Sequence, residues 1–159
     1  MGARAEQLAN KFDQSCRDFT SFVEKLTDAD WKKQTASEKW SVGVVAHHVA
    51  GACGAIGGIV KNVAKGEPLP PLTMEAIHDM NAKHAKEFSN VTKADALSLF
   101  RTGASSASGI VRGLSDAELD KSAALLGGPL MTATQVIEGV LINHINEHLG
   151  SMRAAVGAK

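Results

Sequence analysis

Tyrosine is missing from this sequence altogether, and aromatic residues make up only 4% of it. Cysteine is scarce as well, with only Cys16 and Cys53 present. Two thiols cannot build the disulfide framework of a small secreted domain, and they read as small apolar residues in a reducing compartment. Neither sign of charge is in excess, since 17 basic side chains stand against 17 acidic ones. That balance excludes a nucleic-acid binder that works by neutralising phosphates. The start of the chain lacks the apolar stretch of a signal peptide, and Glu6 stands where a myristoylation signal needs Ser or Thr. The one long apolar run, Val42 to Val60, carries two adjacent histidines and five glycines and is too polar in its middle for a transmembrane helix. The expectation is a cytoplasmic protein with no membrane and no nucleic-acid partner.

What is present is a folding chain of ordinary hydrophobicity, 44% apolar over 159 residues. At this length a single domain spanning 1–159 is expected, able to bury roughly 70% of its unfolded surface. Helical spacing dominates and no convincing alternating strand appears. Leu8, Phe12, Cys16, Phe19, Val23 and Leu26 recur at steps of three and four residues, which predicts a first long helix. Ser41 is placed to cap a second, running to about Lys65, where Gly66 and the following prolines end it. A shorter helix is predicted from about Thr73 to Phe88, another from Thr92 to Gly113, and a last one from near Thr132. Four long amphipathic helices without strands give an all-α four-helix bundle with additional short helices.

The segment from Leu26 to Lys33 resembles that from Leu114 to Lys121, each with Ser or Thr followed three residues on by Asp or Glu. Each opens a short helix and precedes a long one that carries histidine. Chance accounts for such an echo as readily as a helix pair used twice does. The second long helix also carries a stripe of Gly43, Gly51, Gly54 and Gly58. Glycine costs about 1 kcal/mol against alanine in a helix interior, so a close helix neighbour or a dimer contact is expected there.

The six histidines are unevenly placed. His144 and His148 are spaced i, i+4, which puts them about 40° apart on one helix face. Ile137, Val140, Leu141, Met152 and Ala155 share that arc, while Gln135, Asn146 and Arg153 lie opposite. Imidazoles facing a bundle interior must be hydrogen-bonded or must bind a metal, and spacing alone does not choose. On the second helix His47 and His48 point about 100° apart. His48 borders the apolar arc, whereas His47 falls outside it, on the surface or in support of a ligand. Three inward imidazoles leave a coordination position open, which suits a catalytic metal better than a closed structural one. His78 and His84 fall on different faces of the middle helix, and Trp31 and Trp40 read chiefly as packing residues. No general base stands beside the three histidines in sequence, Glu147 lying at the edge of their arc.

Trp40-Ser41-Val42, then His48, and a late His144-x-x-x-His148 resemble the DinB/YfiT-like family, and the likeness extends from Leu26 through Arg153. The resemblance implies a four-helix bundle with a divalent metal, zinc or nickel, held by His48, His144 and His148. It also implies frequent homodimers and a small-molecule substrate. Some members are thiol-dependent transferases or isomerases that use mycothiol or bacillithiol. Asp79-Met80-Asn81 is similar to a segment of the mycothiol-related branch, which can use Glu where this chain has His144. His47, Asn81 and Trp40 are candidates for support of the metal ligands or contact with substrate. Two rival readings stand beside the thiol-dependent enzyme: a metal-dependent hydrolase of a small substrate, and a non-catalytic, metal-stabilised dimer of a stress response.

Overall fold

The computed structural model describes residues 2–158. Four long helical stretches form the bundle: α1 (Ala3–Glu24), α3 (Val42–Lys65), α5 (Lys93–Arg112) and a last one ending in α8 (Asn143–Val156). Between them lie α2 (Asp28–Trp31), α4 (Met74–Glu87), α6 (Asp116–Leu119) and α7 (Ala133–Val136). The caps explain the boundaries. Thr27 with Asp30, Ser115 with Glu118 and Thr132 with Gln135 each make a reciprocal capping box, so both copies of the sequence echo start a helix in the same way. Ser41 caps α3 by accepting from the Val44 N–H. Gly66, at φ 70°, ends α3, with its own N–H on the Val63 carbonyl and that of Glu67 on Asn62. This is a Schellman closure, which favours glycine because only glycine enters the left-handed region without cost.

Helix α3 is the centre of the bundle. Val42, Val45, Val49, Cys53, Val60 and Val63 are buried in one core with Phe12 and Phe19 of α1, Phe100 of α5 and Ile145 and Met152 of α8. Its mean hydropathy of 1.5 is that of a membrane span, and 56% of that apolar window is covered by the other helices. The expected close approach is real and lies between α3 and α5. A Cβ on Gly57 would stand 3.0 Å from the Ala107 Cβ, and one on Gly103 would stand 3.2 Å from the Ala50 carbonyl oxygen. Only part of the predicted glycine stripe serves it. Gly54 faces Gly103 and Gly43 lies under the Trp31 ring, but Gly51 and Gly58 border open space.

Two features depart from the expected succession of helices. A short antiparallel hairpin pairs β1 (Ser122–Ala124) with β2 (Leu130–Thr132), Ala123 opposite Met131. Strands of three residues are too short to show an alternating pattern, so the sequence carried no legible sign of them. The last helix is also interrupted, since α7 passes into a π-helical segment, Ile137–Ile142, before α8 begins. A π turn of this kind commonly accompanies a functional site, and this one immediately precedes His144.

Candidate metal centre

The three inward histidines meet at one end of α3. His48 lies one turn and a half into that helix, and His144 and His148 lie on successive turns of α8. One ring nitrogen from each lies within 4.8 Å of the other two. His48 Nε2 is 3.0 Å from His144 Nε2, and the His144 and His148 ring centres are 4.5 Å apart. Trp40, one residue ahead of the α3 cap, presents its indole edge-on to His48 at 5.5 Å. Each of the three is half-buried. Burial, and then the neighbouring imidazoles, push the His48 pKa down to about 3. The same causes in the same order bring His144 down to about 4. Both rings are therefore neutral at physiological pH, with lone pairs free to bind a cation.

A carboxylate that no motif singles out stands behind this group. Glu38 Oε1 is 3.4 Å from His148 Nδ1, and Glu38 Oε2 accepts a 2.7 Å hydrogen bond from Ser151 Oγ. Only 11% of the Glu38 side chain is exposed, which is rare for a carboxylate without a buried purpose. Glu38 sits in the turn between α2 and α3. Thr35 pins that turn, its N–H and hydroxyl both donating to the Trp40 carbonyl. Lys39 takes φ 60° between them, a left-handed conformation disfavoured for lysine. The turn thereby places Glu38 on His148 and Trp40 on His48. A glutamate 110 residues before the histidine it meets has no motif to announce it.

His47 is not at the surface. It is 8% exposed, because α4 crosses the face of α3 that the helical wheel assigned to solvent. His47 Nδ1 lies 2.6 Å from His84 Nε2 with the two rings stacked, and the Phe88 ring packs against both, 4.1 Å from His47 and 4.9 Å from His84. The His84 ring centre is 5.9 Å from that of His48, so α4 carries a fourth imidazole to the rim of the centre. His78 is exposed on the opposite face of the same helix. Trp31 is a packing residue as expected, donating its indole N–H to the Val91 carbonyl. Cys53 is buried, with its thiol pushed up to about 12, and burial raises Cys16 likewise, so neither is an activated nucleophile.

The histidine group forms the floor of a cleft of about 970 Å³. Trp40 and Asn81 both line it. Its walls come from Ile56 and Ile59 of α3, the strap Leu69–Leu72, and Leu125 and Leu126 of the hairpin turn. A cleft of this size falls in the range of small-molecule sites, roughly 300–1,000 Å³.

No functionally curated protein matches the sequence. Among solved structures that share the fold are two of one enzyme. The crystal structure of the mycothiol-dependent maleylpyruvate isomerase superposes with a TM-score of 0.76, and that of a histidine-to-alanine mutant of this enzyme with 0.75. Identity is 13% in both, over 96% of this chain and 63% of theirs, so the present chain spans less than two thirds of those proteins. A family model described as the mycothiol maleylpyruvate isomerase N-terminal domain matches residues 12–150, nearly the whole chain. The chain belongs to the family of the mycothiol maleylpyruvate isomerase N-terminal domain, within the DinB-like group of helical bundles.

Proposed function

We propose that this protein binds a divalent metal, zinc or nickel, through His48, His144 and His148, and uses it with a low-molecular-weight thiol to isomerise or transfer a small substrate. The observation that carries the reading is the convergence of three imidazoles on the floor of a cleft. The donor set fits a cation: one ring nitrogen from each of three imidazoles converges within 4.8 Å, and burial keeps His48 and His144 unprotonated. Three nitrogen ligands with an open side are the pattern of catalytic zinc sites. When bound, such a metal supplies Lewis acidity and lowers the pKa of a thiol or water beside it.

The chain's own residues do the positioning. Glu38, held by Ser151, faces His148 Nδ1 and would fix that ring with its other nitrogen towards the cleft. Trp40 packs on His48 and restricts its rotation. The apolar walls lower the local dielectric, which strengthens electrostatic interactions beside them. The thiol partner is supported by family membership, since the related solved enzyme is described as mycothiol-dependent.

The test is a two-arm screen of the metal-loaded protein against small electrophiles, with and without added thiol. Turnover that requires thiol supports the reading. Ester or amide cleavage that proceeds without thiol would replace it with the hydrolase, and silence in both arms would favour a non-catalytic role.

A further inference from the structure

The walls of the cleft say what kind of molecule fits above the histidines. Among the described residues no lysine or arginine lines it, and the one charged side chain there is Glu38, an anion. Apart from Glu38, Trp40, Asn81 and the three histidines, the lining is aliphatic, with a glycine at the hairpin turn. The polar groups gather at the floor, while Ile56, Ile59, Leu69, Leu72 and Leu125 face one another above it. A dicarboxylate such as maleylpyruvate could set one carboxylate at the histidines, but its second would find no counter-charge on these walls. Desolvating a carboxylate without a partner costs far more than the walls could return.

Resting on the metal reading above, we propose that the cleft takes a substrate with an uncharged, extended apolar body, alkyl or aryl, and a single polar head seated at His48, His144 and His148. The strap Leu69–Leu72 and the hairpin turn at Leu126 line the space for the apolar body. Affinity then comes chiefly from buried hydrocarbon, about fourfold for each methylene covered.

The test uses N-phenylnaphthylamine, an uncharged dye that brightens on burial, and its displacement by alkyl hydroxamates. Saturable dye binding is expected, with octanohydroxamate displacing it at concentrations at least about a hundredfold below those of acetohydroxamate. Maleate should not compete. Ile59→Asp should weaken the dye about tenfold. Should that variant fail to fold, Leu126→Asp, at an exposed position, should do the same. Chain-length dependence that persists in protein lacking metal supports the cleft assignment, and hydroxamate affinity unchanged by removal of the metal overturns the metal reading instead. Competition independent of chain length, dye binding unchanged in both variants, or displacement by maleate overturns the proposal. Dye sites that vanish as the protein is concentrated also overturn it, because a second copy would then be the occupant.

Discussion

His47 Nδ1 and His84 Nε2 stand 2.6 Å apart, tying α4 to α3 beside the candidate metal centre. Helix α4 has no fully buried residue of its own, so this stacked pair and Phe88 carry much of its attachment. His84→Ala removes one partner and leaves the buried His47 ring unsatisfied, a cost of about 1–3 kcal/mol. Faster amide exchange across Met74–Glu87, with metal content unchanged, is the expected result. Exchange confined to its native rate would show that α4 is held by other means.

Glu38 should act through His148. Glu38→Gln keeps the shape but removes the charge, and loss of such a carboxylate partner typically weakens metal binding about 10–100-fold. Competition with a chelator measures this directly. Equal affinity in the variant would mean that Glu38 serves only Ser151 and the local turn.

Lys39 pays for the geometry of that turn. Its φ of 60° costs a non-glycine residue roughly 1–2 kcal/mol, part of which glycine gives back through its freedom when unfolded. Lys39→Gly is therefore expected to stabilise by about 0.5–1 kcal/mol, raising Tm by about 1–4 °C. A fall in Tm would show that the lysine side chain contributes more than the strain removes.

The pH dependence follows from the buried imidazoles. Both His48 and His144 titrate below the ordinary 6.5, at about 3 and about 4, because burial penalises their charged forms. Burial lowers His47 and His84 too. Between those values and 6.5 the unfolded chain takes up protons that the folded chain refuses, so stability rises with pH across that window. It is fully present above about 6.5 and is lost as pH falls towards the folded values. Denaturant midpoints measured with chelator present should drop between about pH 7 and about pH 5, above the range where carboxylates titrate. A flat profile there would mean that these imidazoles are not desolvated.

What the sequence disclosed and what it concealed divide along physical lines. The caps at Ser41, Thr92 and Thr132 and the stop at Gly66 were legible because local chemistry decides them. His48, His144 and His148 were legible as a convergent set because helical periodicity reports which face is inward. His47 was misplaced because a wheel knows one helix at a time, and α4 covers it from elsewhere in the chain. Glu38 was hidden for a related reason. Its role comes from a turn geometry centred on Lys39 and not from any spacing to His148. The apolar cleft, assembled from α3, the strap and the hairpin, was likewise a tertiary property.

The central claim is that His48, His144 and His148 form one metal site while His47, adjacent to His48, does not take part. Metal content per chain, measured after purification without added metal and again after loading with zinc or nickel, tests it most directly. The account predicts about one metal per chain in the native protein and in His47→Ala, and loss of it in His148→Ala. Native protein that takes up no metal under any loading condition, or His148→Ala that keeps it, would contradict the account.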